Sequence, residues 1–199
     1  MKKSITRIAV FVSGGGTNLQ ALIDAARAGI IKSGEIALVL SNRAGAYALE
    51  RARAAGIPTA HLPRQALAHG LEPLMRAHEI DMIVLAGFLC ILPAHFTRLY
   101  EKRIINVHPA LIPAFSGEGY YGLRVHEAAL ARGVKVTGAT VHYVNEVCDG
   151  GEIIAQRAVA VRAGDTPETL QERVMRMAEW RILPRAVEKV AREIRNERI

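Results

Sequence analysis

The first half of the chain alternates short apolar runs with longer stretches in which apolar residues recur every three or four positions. Apolar runs bounded by glycine, proline or polar residues are typical of buried strands. Four such runs occur, at 7–12, 36–40, 81–88 and 104–107. The stretches between them have the period of amphipathic helices. Strands that alternate with helices predict an α/β fold of the Rossmann type, with a doubly wound and mostly parallel sheet.

The second half of the chain has a different pattern. The segment 114–122 is rich in glycine and aromatic residues, which predicts an irregular loop. The apolar stretches at 134–144 and 152–161 are longer and predict an antiparallel strand pair in the C-terminal half. A further short strand at 57–62 is expected at the edge of the sheet, because Pro58 lacks an amide donor.

Two of the predicted helices carry irregularities. The helical stretch that contains Gly70 and Pro73 is predicted to be interrupted there. The last helix is predicted to begin at Thr166 as its N-cap, and Pro184 predicts a kink. Its expected apolar stripe consists of Leu170, Val174, Met177 and Ile182.

The length of 199 residues is enough for one α/β domain with a hydrophobic core. We predict a single domain over 1–199, with one half at 1–105 and the other at 106–199, because no repeat, linker or low-complexity tract separates them. A content of 50% hydrophobic and 23% charged residues is typical of soluble globular proteins. No stretch approaches the ~18 consecutive apolar residues of a membrane span.

The net charge of +7 raises the question of a nucleic-acid partner. The basic residues near the C-terminus are mixed with acidic ones, and aromatic residues make up only 5% of the chain, so the sequence favours a solvated surface instead. Cys90 and Cys148 have neither the spacing of a metal site nor that of a disulfide framework, which predicts reduced thiols and a cytoplasmic protein. The sequence leaves a monomer and a homodimer open.

A glycine-rich loop, SGGGTN at 13–18, follows the first strand and opens a helix. In that position, backbone N–H groups at the helix N-terminus can face a phosphate. The loop is not a Walker motif, because no Gly-Lys-Ser/Thr follows, and its contiguous glycines differ from the dinucleotide fingerprint. Its spacing alone is compatible with a phosphate site and with a plain tight turn.

Asn106 and His108 lie at the end of a predicted strand, before a loop with Pro109 and Pro113. Side chains two apart on a strand point the same way. The amide can therefore donate to a developing oxyanion at the spot where the imidazole carries a proton near neutral pH. A carboxylate from a second loop would raise the pKa of the imidazole. Asp149 in Cys-Asp-Gly-Gly is the candidate, although an Asx-type turn explains the same residues.

Of the seven histidines, only His108 has this setting. His142 lies inside a predicted strand and is interpreted as an ordinary half-buried side chain, and His126 as a packing or surface residue of a helix. No pair of histidines has zinc-like spacing with a third ligand nearby, which argues against a metal site.

Six motifs, in order along the chain, resemble the folate-dependent formyltransferases. They are VFVSGGGTNLQALID (10–24), SNRAGAYALERARAAGIPT (41–59), VLAGFLCIL (84–92), INVHPALIP (105–113), CDGG (148–151) and AGDTPETLQERV (163–174). Within the family, the resemblance points to the members that formylate 5′-phosphoribosylglycinamide in purine synthesis. It covers nearly the whole chain, with a short gap beside Arg64 and a longer loop at 114–122.

The resemblance implies a role for residues of each motif. The phosphate of the ribotide would be held by Gly16, Thr17 and Asn18, and its ribose hydroxyls by Glu179. The catalytic residues would be Asn106, His108 and Asp149. The folate site would comprise Arg64, Leu89, Cys90, Ile91, Leu92, Asn106 and Val147, with Arg64 at the glutamate end of the folate. A surface role is the alternative for Arg64 and for Glu179.

The chain departs from the family pattern in three places. Cys90 stands where a basic residue is frequent, which weakens a side-chain contact there but not recognition through the backbone. Arg124 stands where a histidine is frequent. The longer loop at 114–122 carries Tyr120 and Tyr121 and is either a lid over the pocket or a surface variation.

The resemblance implies transfer of a formyl group from 10-formyltetrahydrofolate to the amine of 5′-phosphoribosylglycinamide, without metal or ATP. Residues 1–105 would be the phosphate-binding half and 106–199 the catalytic and folate-binding half. Asn106 and a protonated His108 would stabilise the oxyanion. Formyltetrahydrofolate deformylase, which uses the same catalytic residues with water, is the alternative, and a non-enzymatic nucleotide-binding module is a third. The expected partners are two small molecules, with neither nucleic acid nor membrane.

Overall fold

A computed structural model describes residues 5–197. Its strands are β1 (Thr6–Val12), β2 (Gly34–Ser41), β3 (Thr59–His61), β4 (Met82–Leu85), β5 (Ile104–His108), β6 (Val136–Tyr143) and β7 (Ile153–Ala160). Its α-helices are α1 (Thr17–Arg27), α2 (Tyr47–Ala54), α3 (Leu67–Ala77), α4 (Ala94–Leu99), α5 (Leu123–Arg132), α6 (Pro167–Val174) and α7 (Trp180–Glu197). A 3₁₀ turn precedes α3 at Arg64–Ala66, and a π-helical turn joins α6 to α7 at Met175–Glu179.

The seven strands form one sheet in the order β3-β2-β1-β4-β5-β6-β7. Neighbouring strands from β3 to β5 are parallel, whereas β6 is antiparallel to both β5 and β7. This topology confirms the predicted α/β fold with a mostly parallel sheet and an antiparallel pair in the C-terminal half. Within residues 5–197, no helix is long and apolar enough to cross a membrane.

Two apolar clusters cover the two faces of the sheet. One contains residues of α1, α2 and α7 together with Ile8, Val10 and Val12 of β1. The other contains residues of α3 and α4 together with Ala9 and Phe11. Because successive side chains of a strand point to opposite faces, β1 is buried on both sides, and this explains its continuous apolar run.

Helix α3 is continuous through Gly70 and Pro73, so the predicted interruption is wrong. A Cβ atom at Gly70 would lie 2.7 Å from Leu62 Cδ1, so glycine lets the preceding segment pack directly on the helix. The cost of glycine in a helix is about 1 kcal/mol and that of proline about 3 kcal/mol. Burial of three apolar side chains against the sheet opposes this cost: Leu67, Leu71 and Met75.

The irregularity of the C-terminal helix is the π-helical turn, and α7 continues through Pro184. A π turn inserts an extra residue and rotates the faces that follow it. Met177, which was expected in the apolar stripe, is therefore 49% exposed, whereas Glu179 is buried. Thr166 caps α6 as predicted, and its side chain accepts a hydrogen bond from the Thr169 amide.

The carboxyl ends of β1, β4 and β5 lie side by side at one edge of the sheet. From β1, the chain order runs outward in one direction to β2 and β3 and in the other to β4 and β5. Such a switch in strand order opens a crevice at the carboxyl edge, where ligands bind in α/β sheets. The loops that leave β1, β4 and β5 therefore define the region of the candidate site.

The loop between β1 and α1 depends on Gly16. Its φ is 73°, in the left-handed region, and a Cβ atom there would lie 2.6 Å from the Ala48 Cβ of α2. Gly14, in the same loop, has no positive φ, and a Cβ atom there would meet nothing within 4 Å. Glycine is thus required at the first of these positions and not at the second.

We predict that Gly16→Ala lowers the free energy of unfolding by about 2–4 kcal/mol, because left-handed strain and overpacking each cost about 1–3 kcal/mol. Gly14→Ala, the matched control, should change it by less than about 1 kcal/mol. Urea unfolding followed by circular dichroism measures both. Equal effects of the two substitutions would contradict this account of the loop.

Candidate active site

Strand β5 ends with Asn106 and His108 at the carboxyl edge, as the sequence pattern predicts. The antiparallel neighbour β6 places His142 opposite Asn106 and Thr140 opposite His108. Asn106 Nδ2 lies 3.1 Å from His142 Nε2, so the amide is oriented by a ring on the adjacent strand. His108 and His142 are both buried.

Asp149 reaches this cluster from the connection between β6 and β7. Its φ is 54°, an uncommon left-handed conformation that aspartate tolerates better than most residues. Two residues later, a Cβ atom at Gly151 would lie 1.7 Å from the Tyr143 carbonyl oxygen, so only glycine fits there. The Asp-Gly-Gly sequence thus forms a turn that places the carboxylate at the sheet edge. The Asx-type contact of this connection is made by Asn145, whose Oδ1 accepts from the Val147 amide, whereas the Asp149 carboxylate accepts from Gly117 of another loop.

The Asp149 carboxylate lies between the two histidines. Its Oδ2 is 3.4 Å from His108 Nδ1, and its Oδ1 is 3.5 Å from His142 Nε2. The three predicted catalytic residues, Asn106, His108 and Asp149, therefore lie in one connected cluster with His142 at its centre.

The loop at 114–122 closes the cluster through its backbone. The Phe115 carbonyl oxygen accepts a hydrogen bond from His108 Nε2 at 2.8 Å, and the Gly117 amide donates to Asp149 Oδ2 at 2.9 Å. Both loop residues have positive φ, 51° for Phe115 and 91° for Gly117. Tyr120 and Tyr121 are 38% and 47% exposed, so this loop is docked by its main chain rather than by its tyrosines.

Burial and charge act in opposite directions on the two ionisable partners. Burial lowers the pKa of His108 below its usual range, although the Asp149 carboxylate and the Phe115 carbonyl raise it. Burial alone would raise the pKa of Asp149, but the contact with His142, the Gly117 amide and the charge of His108 lower it. The expectation that a carboxylate raises the imidazole's pKa holds as a contribution, yet burial outweighs it in this structure.

This arrangement leaves Asp149 ionised and His108 neutral at neutral pH, with a proton on Nε2 and a lone pair on Nδ1. When negative charge develops nearby, the ring can take a second proton, which the carboxylate then stabilises. An amide donor, a proton carrier and a carboxylate within one buried cluster suit attack on a carbonyl carbon. Across residues 5–197, no group of three or more His, Cys, Asp or Glu side chains is arranged to hold a metal ion.

The glycine loop is held against α2 through two of its carbonyl oxygens. The carbonyl oxygens of Gly14 and Gly15 accept hydrogen bonds from the Ala48 amide and the Arg51 guanidinium, so they face α2. Helix α1 has no side-chain cap at Gly16, which leaves its first N–H groups open to an anion. At this end of α1, Asn18 Nδ2 donates to Glu179 Oε2 at 2.6 Å. Glu179 is buried, not the surface residue that the alternative expected.

The segment after β4 is anchored beside the glycine loop. The Ser13 hydroxyl accepts from the Leu89 amide at 2.8 Å and donates to Asn42. Along 89–92, exposed and buried side chains alternate, with Leu89 and Ile91 exposed and the other two buried. Val147, from the loop after β6, is also exposed. Exposed apolar side chains at a sheet edge suit a flat organic ring.

Two arginines lie near Cys90, one of the residues predicted to bind the folate. Burial raises the pKa of the Cys90 thiol, and Arg64 and Arg43 lie close enough for their charges to oppose this effect. Arg64 lies in the 3₁₀ turn before α3 and is exposed. The structure thus brings Arg64 into electrostatic range of Cys90, although Cys90 lies 26 positions further along the chain.

Residues 6–187 match a family model described as formyl transferase. The chain belongs to the formyl transferase family. A chloroplastic phosphoribosylglycinamide formyltransferase of Arabidopsis thaliana is 41% identical over 176 residues. The match covers 85% of this chain and 60% of the plant protein, so the chain spans less than two thirds of that relative.

Solved structures of this family share the fold. Glycinamide ribonucleotide transformylase 1 from Symbiobacterium toebii has a TM-score of 0.88 at 41% identity, covering 97% of this chain and 90% of that chain. A formyltetrahydrofolate deformylase from Pseudomonas syringae has a TM-score of 0.79 at 30% identity, covering 94% of this chain and 62% of that chain. Structures named as a transformylase and as a deformylase therefore share this fold.

Sequence reasoning missed three groups in the cluster. His142 was interpreted as an ordinary strand residue, because its contacts with Asn106 and Asp149 depend on the register of β5 and β6. The Phe115 carbonyl and the Gly117 amide leave no signal in a side-chain pattern. Glycine marks the positive φ at Gly117, but nothing in the sequence marks the positive φ at Phe115.

His126, expected to be a packing or surface residue, is a fully buried side chain of α5. Neither of its ring nitrogens has a hydrogen-bond partner in the described part of the chain. Burial, with a smaller contribution from the charge of nearby His108, lowers its pKa to about 4. The folded protein therefore disfavours the protonated ring, which the unfolded chain takes up near pH 6.5.

We predict that His126 lowers the free energy of unfolding by roughly 3 kcal/mol as the pH falls from 6.5 toward 4. Each unit by which its pKa is shifted corresponds to about 1.4 kcal/mol. Above pH 6.5 the ring is neutral in both states and contributes no pH dependence. His126→Leu should reduce the acid loss by that amount in urea unfolding measured at several pH values. An unchanged slope between pH 6.5 and 4 would contradict the prediction.

Proposed function

We propose that this protein transfers a formyl group from 10-formyltetrahydrofolate to the amine of 5′-phosphoribosylglycinamide, a step of purine biosynthesis. The observation that carries the proposal is the juxtaposition, at one sheet edge, of an open helix N-terminus after a glycine loop and the cluster of Asn106, His108 and Asp149. A phosphorylated acceptor needs the open helix N-terminus to bind its phosphate, and attack on a formyl carbon needs the cluster at the end of β5. The relatives named as glycinamide formyltransferases support this acceptor.

In the proposed reaction, the acceptor amine attacks the formyl carbon and the carbonyl oxygen becomes an oxyanion. The Asn106 amide donates to this oxyanion. His108 takes a proton from solvent on Nδ1, beside the Asp149 carboxylate, stabilises the oxyanion as an imidazolium, and returns that proton to solvent when the oxyanion collapses to the carbonyl. Asp149 assists transfer of the proton from the attacking amine to the leaving nitrogen of the folate through water. The bond between the formyl carbon and the leaving nitrogen then breaks. This step releases tetrahydrofolate and the ribotide with its amine formylated.

We place the ribotide at the glycine loop and the folate along the segment after β4. Gly16 and Thr17 would bind the phosphate through open N–H groups and the threonine hydroxyl. Backbone groups of 89–92 and the apolar surface of Leu89, Ile91 and Val147 would contact the pterin. Arg64 would meet the folate's glutamate end. The predicted cytoplasmic location, the single domain and the choice between monomer and homodimer stay predictions.

Hydrolysis of 10-formyltetrahydrofolate is the second candidate, because a formyltetrahydrofolate deformylase shares the fold at 30% identity. A hydrolase needs water instead of the ribotide and has no use for a phosphate site. The discriminating experiment follows tetrahydrofolate formation by absorbance, with and without the ribotide. Turnover that requires the ribotide supports the transferase, and equal turnover without it supports the hydrolase.

We predict that Asp149→Asn lowers turnover by about 10²–10⁴, the range for a positioned acid–base group, while the protein stays folded. Asp24→Asn, an exposed carboxylate on α1, is the matched control and should keep full turnover. The same absorbance assay measures both variants, and circular dichroism checks their folding. Turnover of Asp149→Asn within a few-fold of the native protein would remove this residue from the mechanism.

A second prediction concerns the loop at 114–122. Removing Tyr120 and Tyr121 while keeping Phe115 and Gly117 should leave the contacts to His108 and Asp149 in place but open the cluster to solvent. Tetrahydrofolate should then form without a matching amount of formylated ribotide, since water competes with the amine. Full coupling in the shortened protein would show that these tyrosines are surface variation and not part of a lid.

A further inference from the structure

A groove of about 1080 Å³ lies between α1 and the C-terminal helices, away from the catalytic cluster. One wall is a single face of α1, whose residues Thr17, Gln20, Asp24 and Ala28 recur every three or four positions. The other wall is formed by α6, the π-helical turn and the first turns of α7. Thr17, at the end of the glycine loop, therefore lies at the mouth of a long cleft between helices.

The groove leads away from the glycine loop, because its two walls run in the same direction. At one end, Thr17 Oγ1 lies 3.7 Å from Met175 Sδ of the π-helical turn. Beyond the other end of α1, the Lys32 amide donates to Glu188 Oε2 of α7 at 2.7 Å. Residues of α7 that precede Glu188 are thus found progressively further along the groove from the proposed phosphate site.

The groove carries an excess of positive charge. Six arginines and two carboxylates line it, so positive charges outnumber negative ones by four. A second groove lies on the opposite face of the sheet, beside α3 and α4. Two arginines and three carboxylates line that groove, namely Glu72, Glu79 and Asp81. The positive excess is therefore a property of the groove along α1 and not of the surface in general.

Three of the six arginines are held by other groups of the protein, namely Arg51, Arg173 and Arg176. The other three are Arg162, Arg181 and Arg185, which are exposed and form no ion pair within residues 5–197. Arg181 and Arg185 are four positions apart on α7, where two like charges repel each other. An anion that enters the groove relieves this repulsion.

Arg181 and Arg185 are placed to act on an approaching anion through their field. They follow Met175 by six and ten residues, which is roughly 9 and 15 Å along the helix axis. At the larger separation, Arg185 does not hydrogen-bond a phosphate held at Thr17. Its charge still acts over that distance at an ionic strength of 0.01 M, where the screening length is about 30 Å, but not at 1 M, where it is about 3 Å.

We propose that this groove is an electrostatic entry path for a phosphate-bearing acceptor, and that Arg181 and Arg185 set the rate at which the acceptor associates with the glycine loop. The inference rests on the proposed function, because it takes Gly16 and Thr17 as the end point of the phosphate. Clefts lined by one sign of charge raise association rates by about 10–10³. Charges at a distance from a site change the association rate more than the dissociation rate.

The test measures the association and dissociation rates of the ribotide and of ribose 5-phosphate by stopped-flow fluorescence. Trp180 is the only tryptophan of the chain and lines the groove, so it is the reporter. If its emission does not change, ³¹P NMR line widths give the same two rate constants. At an ionic strength of 0.01 M, Arg181→Gln/Arg185→Gln should lower the association rate about fivefold and change the dissociation rate by less than about twofold.

The effect should be graded with charge and should disappear in salt. Arg181→Glu/Arg185→Glu should lower the association rate further than the glutamine variant, and at 1 M salt all these proteins should associate at the same rate within about twofold. Arg76→Gln/Arg103→Gln removes the same number of charges from the second groove and is the matched control. An unchanged association rate in the Arg181/Arg185 variants, an equal loss in the control, or a loss that persists at 1 M salt would overturn the proposal.

Formyl transfer adds a readout that separates this inference from the proposed function. In Arg181→Gln/Arg185→Gln, kcat should be unchanged at any salt concentration, because neither residue touches the reacting atoms. Association of ribose 5-phosphate that depends on the two arginines supports the entry path even if the ribotide is not formylated, and then only the proposed transfer is wrong. Ribotide turnover with an association rate indifferent to these arginines, or ribose 5-phosphate that does not bind, overturns the entry path.

Discussion

The buried imidazole of His108, held between two oxygen acceptors, is the constraint on which the rest of the site depends. Nε2 donates to the Phe115 carbonyl, and Nδ1 faces Asp149 at 3.4 Å. Two acceptors favour the doubly protonated ring, whereas burial opposes its charge, so the pKa is lowered. Negative charge that develops in the crevice can therefore change the protonation state of the ring. A reaction that forms an oxyanion needs this property.

The fold supplies this constraint through three separate segments. Strand β5 brings His108 to the carboxyl edge, the β6–β7 turn returns Asp149 to it, and the loop at 114–122 adds backbone groups from the side. The parallel half of the sheet contributes the glycine loop, the proposed phosphate site, at the same edge. The proposed acceptor site and the candidate catalytic cluster thus lie at the edge where strand order switches, which is where α/β sheets bind ligands.

Local sequence patterns predicted much of this architecture, and their failures have physical causes. The apolar runs located the strands, and the period-two argument placed Asn106 and His108 together. The role of His142 depends on strand register, which a single strand does not encode. The burial of Glu179 and the exposure of Met177 follow from a π-helical turn that shifts the helix faces, and no periodicity in the sequence marks that turn.

For Asp149, the local sequence pattern predicted a turn, and the family resemblance added the catalytic role. Cys-Asp-Gly-Gly predicts a turn, and the turn is present, with Gly151 required by contact with the Tyr143 carbonyl. That the same turn reaches His108 depends on the lengths of β6 and β7, so only the family resemblance implied it. Likewise, the helix with Gly70 and Pro73 stayed continuous because tertiary burial outweighed local propensity.

The charge state of His108 tests this account most directly. The ¹⁵N resonances of its ring, assigned with a His108→Gln variant, report the tautomer and the protonation of the free protein as the pH is changed. We predict a neutral ring at pH 7 with the proton on Nε2, and a pKa below the ordinary value of about 6.5. A ring that is positively charged at pH 7, or neutral with its proton on Nδ1, would contradict the arrangement in which the Phe115 carbonyl holds one nitrogen and Asp149 awaits the second proton.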